Sequence, residues 1–214
     1  METATTFKFS ELSERAKQKA RENFTSPGYL DYEWWDFTYE DALHWMAILG
    51  ITVESRHIKP RPGSPKGYEE PKLYFSGFSS QGDGACFEGR YYFNADALAT
   101  IERETRDEEL IRIARELAVL QLSRRIQGRS FFSAQIMTSG NYCHSHTMQV
   151  ELSSEGEDDE ILGIENEVLA LMRDVADWVY KSLEEMHDWL YSDEYVDEQL
   201  GDKEFDENGV ESNI

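Results

Sequence analysis

A glycine-rich segment, Gly77 to Gly89, concentrates side chains that could do chemistry. These side chains are Ser79, Ser80, Gln81, Asp83, Cys86 and Glu88. The four glycines would let this backbone approach a ligand closely, and a Cys86 nucleophile would need a base such as His144 within hydrogen-bond reach. The segment lacks the lysine and the following Ser or Thr of a P-loop. We therefore expect a tight structural turn between two strands, with its glycines at positive φ, and catalysis at Cys86 as the alternative.

A short run from Cys143 to His146 contains ligand types that zinc prefers. On a strand, His144 and His146 would point to the same face. A closed zinc site needs four ligands, and no second Cys/His pair lies nearby in the sequence. We expect an exposed polar strand face here, with no bound metal and no other cofactor. The two cysteines of the chain, Cys86 and Cys143, are expected to stay as thiols in a reducing compartment.

Charge is distributed unevenly along the chain. The 214 residues include 43 Asp and Glu against 21 Lys and Arg, which gives a net charge of −22. The last 64 residues hold 22 of these acids and three of the bases, so residues 1–150 are nearly neutral. Because phosphate contacts need Lys and Arg, this pattern excludes direct binding to nucleic acid or to an anionic membrane through the C-terminal face. The expected partner is the basic surface of a protein or ribonucleoprotein complex.

The apolar residues of a long predicted helix, Trp178 and Trp189 among them, recur at helical spacing and are expected to pack inward. Carboxylates recur on the opposite side of this helix and just after it. We predict that the partner-binding residues are Glu160, Glu167, Asp174, Asp177, Glu184, Asp188, Asp193 and Glu194. Carboxylates three or four positions apart on a helix stand about 5–6 Å apart, close to the spacing of phosphates along a nucleic-acid strand. The row could therefore imitate a phosphate backbone. The alternative is a solvated face that keeps the protein soluble.

Apolar spacing, caps and turn residues predict the elements that would position these groups. The predicted helices are Glu11–Phe24 with Ser10 as N-cap, Asp31–Leu49 ended by Gly50, a short helix capped by Asn94, a helix to about Ile126 opened by a Thr105–Glu108 capping box, an amphipathic helix from Asp158 to about Tyr191, and Asp193–Leu200 capped by Ser192. The predicted strands are Ile51–Val53, Leu73–Phe78, Ala85–Phe93, Ser130–Thr138 and Tyr142–Leu152, with an exposed loop at Pro60–Pro71.

These elements predict an α+β fold, a mostly antiparallel sheet of two hairpins and an extra strand covered by helices, including the long C-terminal one. We expect a single domain over residues 1–200, followed by an acidic end, 201–214, that is partly docked or disordered. No apolar run is long enough to span a bilayer, and the first residues lack a signal-peptide pattern. The chain is expected to be cytosolic. The basic residues of the first helix, Arg15, Lys17, Lys19 and Arg21, are expected to balance acidic surface within the protein or in a homodimer.

The segment from Tyr74 to Gly89 resembles the signature of a family of small uncharacterised proteins found in bacteriophages and prophages. Its sequence is YFSGFSSQGDGACFEG. The resemblance extends to Asp31–Trp35, to Ser192–Glu198 and to Phe205–Gly209. It implies a mobile-element origin and action in a bacterial cytoplasm. Members are sometimes labelled antitoxins of a toxin–antitoxin stability system. The resemblance names no catalytic residues.

Three hypotheses follow for function. The first is a phage-encoded acidic binding protein, not an enzyme, that inhibits a nucleic-acid-binding complex of host defence, of the anti-CRISPR or anti-restriction type. This hypothesis joins the acidic residues to the phage-type signature by analogy. The second is an antitoxin that neutralises a toxin by direct binding. The third is a small enzyme that uses the glycine-rich hairpin around Cys86.

Overall fold

The computed structural model describes residues 6–26, 28, 33–59, 67–155 and 163–212. The chain divides into two compact units. The first unit comprises Met1–Phe37 and Leu183–Ile214, and the second comprises Thr38–Ser182. The single domain predicted over residues 1–200 stays a prediction.

The described chain is a mixture of helices and short antiparallel strands, which confirms the predicted α+β class. The helices are α1 Glu14–Phe24, α2 Asp36–Leu49, α3 Ala97–Glu104, α4 Glu108–Ile126, α5 Glu165–Leu190 and α6 Asp193–Leu200. The strands are β1 Phe7–Lys8, β2 Ile51–Val53, β3 Ser55–Ile58, β4 Tyr68–Pro71, β5 Leu73–Phe75, β6 Ala85–Phe87, β7 Gly89–Tyr92, β8 Phe132–Thr138, β9 Met148–Ser154 and β10 Glu204–Phe205. Within the described ranges, no helix has both the length and the apolarity needed to cross a membrane.

The second unit is built on a four-stranded antiparallel sheet in the order β2-β7-β8-β9. Alternate residues of β8, Phe132, Ala134 and Ile136, are buried, as the period of two requires. Two separate hairpins, β3-β4 and β5-β6, accompany the sheet. The strand predicted over Ala85–Phe93 is therefore wrong in one respect, because it divides at Glu88 between a hairpin and the central sheet.

Helices supply the apolar layer of the second unit. The inner face of α4 buries Leu110, Ile113, Ala114 and Leu117, as predicted from their spacing. The predicted capping box is wrong, because the Asp107 carboxylate caps α4 by accepting from the Leu110 N–H at 2.9 Å. Thr105 instead accepts from the Asp107 N–H. An Asp side chain at the N-cap position thus binds one of the free N–H groups at this helix start.

The first unit has a core of its own, in which α1 and α6 pack together beside the β1-β10 pair. Its buried members are Phe9, Leu12, Ala16, Ala20, Val196, Leu200 and Phe205. Residues 201–212 dock through Phe205, and Gly209, at φ 79°, lies so close to α1 that a Cβ atom would stand 2.0 Å from the Ala16 carbonyl oxygen. The N-cap of α1 is Ser13 rather than Ser10, because a 3-10 turn over Phe9–Glu11 precedes the helix.

Several predicted boundaries differ from the structure. Helix α2 begins at Asp36 rather than at Asp31, and Tyr68–Pro71 is a strand rather than a loop. Asn94 accepts from the Asp96 N–H just before α3, whose N-cap is Asp96. The proline-rich stretch 60–66 and the predicted start of the long helix at residue 158 lie outside the described residues.

Replacing Gln121 by alanine should destabilise the second unit. The fully buried Gln121 amide donates to the Phe132 carbonyl at 2.8 Å and accepts from the Phe132 N–H at 3.0 Å. Its loss leaves two buried backbone groups unpaired, so we expect a decrease of about 2–4 kcal/mol in the free energy of unfolding, measured with urea. The exposed Gln149→Ala control should change it by less than about 0.5 kcal/mol. Equal midpoints for the two variants would contradict this role.

Candidate functional site

The glycine-rich turn of the signature is held by hydrogen bonds within its own loop. The Asp83 carboxylate accepts from the Ser79 and Ser80 backbone N–H groups at 2.9 and 2.7 Å, and these bonds lower its pKa. The Ser76 hydroxyl accepts from the Gly84 N–H and donates to the Cys143 carbonyl. A turn joins β5 and β6 as predicted, but it is not a tight one, because it spans the nine residues Ser76–Gly84 and none of its glycines has a positive φ. Asp83 organises this longer loop as a turn-forming side chain.

Cys86 lies in a place unsuited to nucleophilic chemistry. Its thiol is buried, and burial raises the pKa to about 11. The proposed base, His144, packs against the same loop, where a Cβ added to Gly84 would stand 3.0 Å from the imidazole ring. Its Nδ1 atom accepts from the His146 N–H at 3.1 Å. Because the thiolate is the reactive form, a buried thiol with a raised pKa favours packing as the role of Cys86.

The histidine run does not form the predicted strand face. Ser145–Thr147 is a 3-10 turn that precedes β9, so the strand predicted over Tyr142–Leu152 is wrong before Met148. The His144 and His146 rings stack with centroids 4.9 Å apart. Among the described residues, no group of three or more His, Cys, Asp and Glu side chains could hold a metal ion. The turn residues bond to one another and to the backbone, which alternation along a strand could not predict.

Glu88, at the end of the signature, belongs to a polar cluster beside the central sheet. The Lys72 ammonium lies 3.0 Å from a Glu54 carboxylate oxygen and 2.8 Å from one of Glu88. Thr138 donates to Glu88, and Gln135 donates to Glu54. These bonds lower the pKa of both carboxyls and raise that of Lys72. Ser79 and Gln81, the remaining signature side chains, lie exposed at the turn.

The predicted acidic residues of the second unit are in unequal states. Glu167 and Asp177 are exposed on α5. Asp174 is half-buried, with its carboxylate 2.5 Å from the Arg112 guanidinium, which also binds Glu109 and Glu116. Asp174 is therefore ion-paired within the unit. Glu160 lies outside the described residues. Sequence spacing placed these four side chains on one helix face. It could not show that Arg112, 62 positions before Asp174, binds the Asp174 carboxylate.

The first unit holds the more concentrated acidic surface. It contains 19 Asp and Glu against six Lys and Arg, so it contributes −13 of the total −22 with about a third of the residues. Asp188, Asp193 and Glu194 are exposed there, and Glu184 is partly exposed. Arg21 of α1 donates two hydrogen bonds to the Asp197 carboxylate, at 2.6 and 2.7 Å. The pairing of helix-one bases with acids inside the protein is thus confirmed for Arg21.

Aromatic rings stand among these carboxylates. Trp189 and Tyr191 leave 48% and 41% of their surface exposed, and the Trp189 ring lies 4.3 Å from that of Tyr195, centroid to centroid. The Ser192 hydroxyl fixes the corner between α5 and α6, because it donates to the Trp189 carbonyl and accepts from the Tyr195 N–H. The aromatic–acidic patch is defined by Asp188, Trp189, Tyr191, Asp193, Glu194 and Tyr195.

The sequence did not predict the aromatic part of this patch. Helical spacing assigned Trp189 to the buried stripe of the long helix, together with Trp178, which is buried. The assignment of Trp189 is wrong, since nearly half of this side chain is exposed. Periodicity reports which face a residue shares, but it does not report where the covering elements stop.

The chain belongs to the family described as Domain of unknown function (DUF8835), which matches residues 34–193, about three quarters of the chain. No curated protein and no solved structure matches it. The matched range contains the whole glycine-rich hairpin and ends at the first residue of α6.

Alkylation should distinguish the two thiols. With iodoacetamide at pH 8 we expect labelling of the half-buried Cys143 before the buried Cys86, because Cys86 is both hidden and protonated at that pH. In urea the two rates should become similar. Peptide mass spectrometry over time measures both. Rapid labelling of Cys86 in the folded protein would restore the nucleophile hypothesis.

The Lys72 cluster should make stability depend on pH. The folded-state pKa of Glu54 and Glu88 lies below its ordinary value of 4.5, so their stabilisation is present above that pH and is lost as the pH falls through the folded pKa. Lys72→Met should therefore cost about 1 kcal/mol of unfolding free energy at pH 7 and clearly less at pH 3. The exposed pair of Arg103 with Glu104 provides the control, and Arg103→Met should cost little at either pH. An equal cost of Lys72→Met at both pH values would contradict an electrostatic role.

Proposed function

We propose that the protein is an acidic binding protein that recognises a basic surface of a host protein or ribonucleoprotein complex through the aromatic–acidic patch. The observation that carries this proposal is the exposed Trp189, which packs on Tyr195 between the carboxylates of Asp188 and Asp193. A face that serves only solubility needs charges, and it has no use for an exposed indole.

The chemistry of the patch suits Lys and Arg side chains. Carboxylates attract the cationic head group over a distance, and an indole or phenol face binds it at contact. Trp and Tyr are also the side chains that most often dominate the energy of protein interfaces. The patch therefore supplies both attraction and a contact centre for a basic partner.

The setting of the proposal comes from the phage-type signature at Tyr74–Gly89. Host defence complexes that bind nucleic acid present basic channels, which the acidic first unit would meet with complementary charge. We propose inhibition of such a complex, of the anti-CRISPR or anti-restriction type, by occupation of that channel in the bacterial cytoplasm. This function requires no catalysis and no cofactor.

Capture of partners from the bacterial host by the full-length chain, followed by binding measurements with the purified partner, tests the proposal. We expect at least a tenfold loss of affinity between about 50 and 300 mM salt, because exposed charges are screened. Trp189→Ala should weaken binding at least tenfold at either salt concentration. The triple variant Asp188→Lys, Asp193→Lys, Glu194→Lys should abolish it.

A matched triple variant separates the patch from bulk charge. Glu22→Lys, Glu151→Lys and Glu207→Lys change three exposed carboxylates by the same total charge and should keep most of the affinity. Circular dichroism confirms that each variant folds. Affinity that is independent of salt, or that survives the patch variants, contradicts the proposal. A captured toxin encoded next to this gene would support the antitoxin hypothesis instead.

A further inference from the structure

Helix α4 carries a row of exposed aliphatic side chains. Val119, Leu122 and Ile126 leave 57%, 49% and 87% of their surface exposed. They are three and four positions apart, so they lie on one line along the helix, about 10 Å long. These three residues are called the apolar stripe.

The apolar stripe lies on the side of α4 opposite to the core. At 100° per residue, its centre is more than 150° from that of the buried residues Leu110, Ile113 and Leu117. A helix at the surface of a monomer normally presents polar residues there. Within the described ranges this second apolar face is left exposed, and such faces mark contacts with other molecules.

Exposed arginines stand beside the apolar stripe. Arg115 is exposed one turn before Val119 on the same line, where it pairs with the exposed Glu102 at 2.9 Å. Arg125 is exposed beside Ile126, with its guanidinium carbon 5.7 Å from the centre of the Phe131 ring. Glu116 is paired with Arg112 at 2.8 Å.

We propose that the apolar stripe is a docking surface for an acidic amphipathic helix of another protein. A straight row at i, i+3 and i+7 matches the apolar stripe of a second helix packed along it. Carboxylates beside that partner stripe would meet Arg115 and Arg125. The surface belongs to the second unit and has the opposite charge preference from the aromatic–acidic patch, so it is independent of the proposed function.

Two other occupants fit the charges and side chains less well. A second copy that paired α4 with α4 would bring the exposed arginines of both copies together. A nucleic acid is the weaker fit because its bases stack on aromatic rings rather than on Val, Leu or Ile. Each occupant predicts a different result in the same experiment.

Fluorescence anisotropy with a designed peptide tests the docking surface. The probe is a labelled 21-residue helical peptide with Leu along one stripe and Glu on both flanks, titrated with the full chain. We expect saturable binding, with a Kd on the order of 10 µM for so small a contact. Leu122→Ser with Ile126→Ser should weaken it at least tenfold, and Arg115→Glu with Arg125→Glu should weaken it mainly at low salt.

Matched controls define specificity. Phe37→Ser with Val210→Ser changes two exposed apolar residues of the first unit and should bind the peptide like the unaltered chain. A peptide with Lys on its flanks, and one with the same composition but dispersed Leu, should bind at least tenfold more weakly. Because Leu122 and Ile126 are exposed, circular dichroism should show an unchanged fold.

Several results would overturn the proposal. They are no saturable binding of the acidic peptide, equal binding of the Lys-flanked peptide, binding retained by Leu122→Ser with Ile126→Ser, and a dimer in light scattering that this double variant dissociates. The last result would assign the apolar stripe to a second copy. Binding of a single-stranded oligonucleotide that Arg115→Glu with Arg125→Glu removes would also overturn it.

Discussion

In the second unit, a few side chains bind backbone N–H and carbonyl groups directly. They supply the hydrogen bonds that a neighbouring strand or a helix would otherwise provide. Gln121 bonds both polar groups of Phe132, and Asp83 binds two amides of the glycine-rich turn. Arg173 donates to the carbonyls of Ser145, His146 and Met148 at 3.2 to 3.3 Å. Because a buried backbone group without a partner costs free energy, these few side chains permit the short strands and tight connections around the signature.

The same constraint accounts for the residue types of the glycine-rich hairpin. Its glycines and small polar residues build a turn that packs against the Cys143–Thr147 connection, and its cysteine fills space beneath it. Glu88 joins Lys72 and Glu54 at the edge of the central sheet. A specific sequence pattern therefore follows from local packing and hydrogen bonding, and the exposed surfaces elsewhere are better placed to meet a partner.

Ion pairing decides which charges remain for a partner. Arg21 binds Asp197, and Arg112 binds Asp174, so some of the few bases neutralise acids within their own unit. The Arg21 guanidinium also lies 3.6 Å from the Asp193 carboxylate, so Asp188 and Glu194 are the exposed carboxylates of the patch outside the Arg21 ion pairs. The protein then presents an acidic surface with an aromatic centre in one unit and an aliphatic row with arginines in the other. These two surfaces suit partners of opposite charge.

The sequence by itself determined the secondary structure of the long periodic segments and the α+β class. It predicted the C-terminal ends of α1 and α4, the cap of α6 at Ser192 and the end of α2 before Gly50. These features follow from helical spacing and backbone conformation, which are local properties. The tertiary structure alone decided that Trp189 and Ile126 are exposed, that Cys86 is buried, and that Asp174 pairs with Arg112. The physical reason is that burial and ion pairing depend on residues far away in the chain, whereas periodicity describes only a segment's own faces.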